Sequence, residues 1–175
     1  MVTITISGTP GSGKTTVAQI LEKKLGLKYV YSGMIFRELA KKHNMGLEEF
    51  GKYCEKNSRI DKELDNKQLE ILKKGDVILE GRLAGWLAYK NNIPALKVLI
   101  DADLETRARR IVNREEGEIE KRKKEIQKRE ESEAKRYKKY YKADLKDKSI
   151  YDLVIDSTNK TPEEIVEFII QKLEK

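Results

Sequence analysis

One short string limits what this chain can fold into more than any other feature. Val2 to Ser7 is brief and rich in β-branched residues, the pattern of a buried strand. It runs directly into Gly8-Thr9-Pro10-Gly11-Ser12-Gly13-Lys14-Thr15-Thr16. From Thr15 to Leu25 the apolar residues Val17, Ala18, Ile20, Leu21 and Leu25 then recur at helical spacing, and Gly26 ends the run. Gly8, Gly13, Lys14 and Thr15 satisfy the spacing G-x-x-x-x-G-K-[ST]. Glycines let the backbone wrap closely around an anion, and the following helix adds its positive end. Lys14 is placed to reach terminal phosphates and the Thr15 hydroxyl to hold Mg²⁺.

The rest of the chain repeats the strand–helix alternation. Strand patterns fall at Leu27 to Tyr31, Asp76 to Glu80, Ala95 to Asp101 and Tyr151 to Asp156. Helical patterns fall at Gly33 to Lys42, along the charged stretch Leu104 to Lys142, and at Pro162 to Leu173. The last opens with Thr161 as N-cap, Pro162 at the first position and Glu164 as the acidic partner. Residues 44 to 74 read as an insertion of small polar helices. Five apolar strands alternating with helices predict an α/β fold, a five-stranded parallel sheet with helices on both faces. The length of 175 residues fits a single domain.

Composition narrows the chemistry. One cysteine, Cys54, and one histidine, His43, exclude an internal disulfide and a Cys- or His-based metal cluster. No apolar run reaches the roughly 18 residues of a membrane span, so the expectation is a cytoplasmic protein with no membrane contact. A net charge of +7 favours anionic partners. Charged residues are 38% of the chain, above the usual share of about 25%, and mostly Lys and Glu, as in heat-adapted surfaces. Cys54 reads as a small buried residue. Trp86 could line a base pocket or pack under the sheet edge.

A phosphate-binding loop needs a carboxylate on a neighbouring strand end to hold Mg²⁺. Glu80 and Asp101 both qualify. Glu80 is followed by Gly81-Arg82, which suits close approach of a phosphate. Asp101 is followed by Ala102-Asp103, which reads as a helix cap, so Glu80 is preferred. Arg37 and Arg82 fall where the carboxyl ends of the strands open, and arginine matches phosphate with a planar, permanent charge. Arg107 to Lys142 allows three readings: a lid closing arginines over phosphates, a basic arm with tyrosines for nucleic acid, or a solvated helix. The glutamates at 115, 116, 118, 125, 130 and 131 weaken the second, because a phosphate backbone demands an unbalanced basic face.

Six strings together resemble nucleoside monophosphate kinases, and among them the short archaeal-type cytidylate kinases. They are Gly8 to Thr16, Tyr31-Ser32-Gly33-Met34-Ile35-Phe36-Arg37, Leu79-Glu80-Gly81-Arg82-Leu83-Ala84-Gly85-Trp86, and Arg107 to Arg114 with Arg129-Glu130-Glu131-Ser132-Glu133 and Arg136-Tyr137. The resemblance implies a P-loop kinase fold. Residues 44 to 74 would form an acceptor-binding flap and about 110 to 142 a lid, within one domain over 1–175. It implies ATP as phosphoryl donor, Mg²⁺ as cofactor and CMP or dCMP as acceptor, with no nucleic-acid partner and a monomeric chain. It places the donor at Gly8, Thr9, Pro10, Gly11, Ser12, Gly13, Lys14, Thr15 and Thr16, with Arg110 and Arg114 where the lid begins. The loop from Ser157 to Lys160 would hold adenine. Ser32, Arg37 and Arg82 would face the acceptor, and Thr15 and Glu80 the metal. Lys14, Arg110, Arg129 and Arg136 make up the expected catalytic set. Asp61 and Asp65 lie in the flap, and which residues read the base stays open. Two alternatives remain: an adenylate or other small-metabolite kinase on the same fold, and a P-loop NTPase that binds RNA through its charged helix.

Overall fold

The computed structural model describes the backbone of all 175 residues and every side chain except those of Leu47, Glu48 and Arg136. Its elements run β1 (Thr3–Gly8), α1 (Lys14–Leu25), β2 (Lys28–Tyr31), α2 (Ser32–Lys42), α3 (Leu47–Lys56), α4 (Ser58–Lys74), β3 (Val77–Glu80), α5 (Ala84–Lys90), β4 (Leu96–Asp101), α6 (Leu104–Glu115), α7 (Ile119–Tyr141), β5 (Leu153–Asp156) and α8 (Pro162–Leu173). The strands form one parallel sheet in the order β2-β3-β1-β4-β5. This is the predicted α/β architecture. Among the described residues no helix is long and apolar enough to cross a membrane.

Alternation along the strands divides the core between the two faces of the sheet. Ile4, Ile6, Ile78, Val98 and Ile100 pack with Val17 and Leu21 of α1 and Ile165, Val166 and Ile169 of α8. Val30, Val77 and Leu79 point the other way, against Ile35 of α2, Leu72 of α4, Leu87 of α5 and Tyr137 of α7. Successive strand residues face opposite sides, so Val77-Ile78-Leu79 serves both cores. β1 and β3 are buried along their whole length, which fits the β-branched run of the first and the apolar Val77-Ile78-Leu79 of the second.

Two smaller cores lie outside the sheet. Leu39 and Ala40 of α2 enclose Phe50 of α3 and Ile60 of α4, with Cys54 partly buried beside them. Ala108 and Ile111 of α6 pack on Ile126 of α7. Residues 44 to 74 are therefore not uniformly peripheral, because Gln68 and Leu72 of α4 are buried against the body. The predicted continuous helical stretch from Leu104 to Lys142 is broken in two. Glu116 (φ 64°) and Gly117 (φ 113°) enter the left-handed region, where glycine carries little penalty, and the chain reverses into α7. The short helix α5 was not anticipated. Its residues 84–88 are all buried, so no polar stripe marks it as amphipathic.

Candidate active site

The glycine string joins the central strand to α1, and the strands on either side of β1 each end in a carboxylate. On the β3 side, Glu80 is level with Ile6 of β1. It is buried, accepts the Thr15 hydroxyl (3.0 Å to Oε1), and is gripped from the other side by the Tyr29 hydroxyl of β2. On the β4 side, Asp101 accepts from the Thr9 hydroxyl (2.6 Å) and the Ala102 amide (2.8 Å). Glu80 is thus the strand-end carboxylate bonded to Thr15, and Asp101 is the one bonded to Thr9 of the loop. Thr15 and Glu80 offer one hydroxyl and one carboxylate, hard oxygens of the kind Mg²⁺ shares with phosphate oxygens and water. Among the described residues no three or more His, Cys, Asp or Glu side chains gather into an all-protein cage.

Lys14 lies back across its own loop, donating to the carbonyls of Gly8 (2.9 Å) and Thr9 (2.8 Å). Desolvation, then the positive Arg82, lowers its pKa to about 7, and Glu80 partly offsets this. A cavity of about 440 Å³ opens over Lys14, Thr15 and Glu80. Arg82, Arg114, Arg122 and Arg129 stand in its walls. Arg82 is largely buried and lies 3.0 Å from Glu133 of α7, which also accepts from Arg129 Nε (3.0 Å). Burial draws the Arg82 pKa below its ordinary value, and the Glu133 carboxylate opposes that. The side chain of Arg136 lies outside the described residues.

Arg110 ties three segments together. Its guanidinium donates to the carbonyls of Gly11 (3.3 Å) and Ser12 (3.2 Å), to the Ser157 hydroxyl (3.0 Å) and to the Ser157 carbonyl (2.7 Å). Arg110 and Arg114 line a second cavity, of about 280 Å³, with Gly13, Thr16, Ser157 and Lys160. This cavity lies on the side of the loop toward α8.

A third cavity, also about 280 Å³, opens on the opposite side and shares Ser32, Gly33, Arg82 and Arg129 with the first. The Ser32 hydroxyl approaches Gln68 Oε1 (3.1 Å) and the Glu80 carbonyl (3.2 Å). Gly81 passes so close that a β-carbon there would lie 2.1 Å from Ser32 Oγ. Asp61, Asp65 and Gln68 of α4 and Tyr137 and Tyr141 of α7 complete the walls. Arg37 is not drawn in. It is exposed on α2 and donates to the Tyr31 hydroxyl (3.1 Å), while Tyr31 itself lines the first cavity. Trp86 packs in the core beneath the sheet, edge-on to Tyr89. Tyr29 was missed by sequence reasoning, Asp101 was weighed only as a metal carboxylate, and Glu133 only as part of a string. The partners of all three side chains include residues on other elements, which leave no local spacing to read. Glu133 had one available signal, its i+4 offset from Arg129.

A parallel sheet with the glycine loop on its central strand, a carboxylate ending the next strand, and arginines over both defines the P-loop kinase class of fold. The comparisons narrow the class. A family model described as the cytidylate kinase-like family matches residues 3–159. A cytidylate kinase from Methanococcus vannielii is 48% identical over 156 residues, covering 89% of this chain and 90% of that one. A cytidylate kinase from Methanocaldococcus jannaschii is likewise 48% identical, covering 89% and 88%. Among solved structures, a shikimate kinase from Bacteroides thetaiotaomicron superposes with a TM-score of 0.65 at 14% identity, over 99% of both chains, a likeness of fold alone. The chain belongs to the cytidylate kinase-like family.

Proposed function

We propose that the chain is a cytidylate kinase, moving the γ-phosphoryl group of ATP to the 5′-phosphate of CMP or dCMP and releasing ADP with CDP or dCDP. The observation that carries this is a series of three cavities, the middle one sharing wall residues with each of the other two. One lies beyond the loop beside Ser157 and Lys160, one covers Lys14 and Glu80, and one opens past Ser32 and Arg82. Donor and acceptor would enter from opposite ends and meet over Lys14, as in-line transfer demands.

The chain's own groups then have defined tasks. Residues 8 to 16 wrap the donor phosphates, and Lys14 exchanges its two loop carbonyls for their oxygens. Arg110 fixes the adenine-side loop through Ser157, with Arg114 beside it. Ser32 and Arg82 orient the acceptor, and Arg37 lies at the rim as a further anion contact. Arg129 and Arg136 neutralise charge passing between donor and acceptor. Thr15 and Glu80 would hold Mg²⁺, which supplies charge neutralisation at the phosphates. Closure of α6 and α7 would exclude water, so the phosphoryl group reaches CMP rather than hydroxide. The RNA-binding alternative is disfavoured because basic side chains of α6 and α7 are paired with acids nearby, as in Arg122 with Glu125, Arg109 with Glu105, and Lys123 with Glu120.

A coupled assay of ADP release across CMP, dCMP, UMP and AMP tests the proposal, with Lys14→Ala as the inactive control. Fastest turnover is expected with CMP or dCMP. Fastest turnover with AMP, or acceptor-independent hydrolysis stimulated by RNA, would overturn it.

A further inference from the structure

The third cavity has a charge polarity that the rest of the site lacks. Arg82 and Arg129, both partnered by Glu133, stand at the end it shares with the first cavity and keep a net positive charge there, and Asp61 and Asp65 line this cavity but not the first. A nucleoside monophosphate can enter such a slot in one direction, phosphate toward the arginines and base toward the carboxyls. Within the acidic end Asp65 of α4 and Tyr141 of α7 line the same wall, and the nearby Tyr141 hydroxyl eases ionisation of the Asp65 carboxyl. An ionised carboxylate has several acceptor sites, enough to serve an occupant as well.

We infer that Asp65 is the specificity-determining residue of the acceptor site. Its carboxylate accepts a hydrogen bond from the exocyclic amine of cytosine, and it rejects uracil, whose oxygen at the same position brings acceptor against acceptor. The inference rests on the acceptor assignment proposed above. An ionised carboxylate only accepts, and pairing with the cytosine 4-amino group is its standard base contact. Gln68 completes the pattern. Its Oε1 faces the Ser32 hydroxyl, which leaves its amide as donor for the ring nitrogen or the 2-oxygen. Asp65 also carries a burial cost, since desolvation raises its pKa to about 6, with Asp61 adding to the shift. A donor supplied by the ligand recovers part of that cost, and a uracil oxygen would add to it. The mount is firm, because Asp65 lies one turn from Gln68 and two from Leu72, both buried. A site built to receive an N–H discriminates far more strongly against its absence than an apolar pocket of the same shape.

The test compares kcat/KM for CMP and UMP at saturating ATP in the native protein, Asp65→Asn and Tyr141→Phe. In Asp65→Asn, the amide can turn a donor toward the uracil oxygen. The CMP:UMP ratio is expected to fall by at least about tenfold, within the range of one base contact, with KM for ATP unchanged. Tyr141→Phe keeps the carboxylate but removes the polar neighbour that eases its ionisation, so a smaller fall in the same ratio is expected. It also serves as the reporter should Asp65→Asn fail to fold. An unchanged ratio in both variants, or equal losses on CMP and UMP, would overturn the inference and leave Asp65 a structural residue. Failure of the underlying assignment is separable, because the native protein would then fail to phosphorylate CMP at all.

Discussion

Asp65 ties stability to recognition at the scale of a single side chain. A carboxyl whose folded pKa, about 6, exceeds its ordinary value of 3.8 holds more protons in the folded chain between those two pH values. Stability is therefore lost as pH rises through that window, and the penalty is complete above about 6. Among the described residues, the side chains that act most on Asp65 are Asp61 on α4 and Tyr141 on α7. The first opposes ionisation and the second supports it, with burial the largest influence. Asp65→Asn is thus expected to melt higher than the native protein near pH 7.5, with the gain shrinking toward pH 4. Thermal melts across pH check this, and a gain independent of pH would contradict it. The same scale shows what the sequence could disclose. Lys14 and Thr15 followed from the spacing of one string, and Glu80 from its glycine and arginine neighbours. The brace between Thr9 and Asp101 spans 92 residues and the grip of Tyr29 on Glu80 spans 51. Contacts of that kind depend on strand order, which no local pattern encodes.

At the scale of elements, termini were easier to read than interiors. α8 carries the capping box its sequence announced. The Thr161 hydroxyl accepts from the Glu164 amide at 3.2 Å, and the Glu164 carboxylate accepts from the Thr161 amide at 2.9 Å. α8 buries Ile165, Val166 and Ile169 against the sheet, so loss of its cap should be felt globally. Thr161→Ala is expected to cost about 0.5–2 kcal/mol, read as a lower urea midpoint at an unchanged slope. A changed slope would instead indicate loss of two-state unfolding. The stretch from Leu104 to Lys142 was harder because charge alone does not locate a turn. Glu116-Gly117 was the available signal, a glycine where a left-handed residue can end a helix. α5 offered even less, since a short helix buried on every side has no period. α7 also packs at two points: Tyr137 lies in the sheet-side core near its C-terminal end, and Ile126 packs on Ala108 and Ile111 of α6 nearer its start.

For the molecule as a whole, the three cavities follow the carboxyl ends of the strands, where ligands of open α/β sheets gather. If they form one continuous site, a molecule spanning all three should bind more tightly than either half. Adenosine and cytidine joined through their 5′ oxygens by five phosphates would have that reach. Present at about a thousand times its dissociation constant, such a ligand contributes about 4 kcal/mol. For a chain of this size that corresponds to a rise of roughly 8–16 °C in Tm. The expected rise exceeds that from ATP or CMP at the same molar concentration, as calorimetry or fluorescence melts would show. A rise no larger than with ATP alone would mean that the cavities act separately.

α4 has one end in each of two cores. Ile60 is enclosed with Phe50 in the small outer cluster, and Leu72 lies with Val77 and Leu79 under the sheet. Its 17 residues form a rod of about 25 Å with no break between those ends. A rod fixed at both ends transmits displacement rather than absorbing it. If the outer helices tilted inward, they would swing about the Leu72 end, and positions near that pivot would travel least. Gln68 lies one turn from Leu72, whereas Asp65, two turns away, lies nearer Ile60 and would move with the outer cluster. Full reading of the base would then need the same swing that brings the site together, and a nucleotide that Asp65 does not hold could leave before the swing is complete.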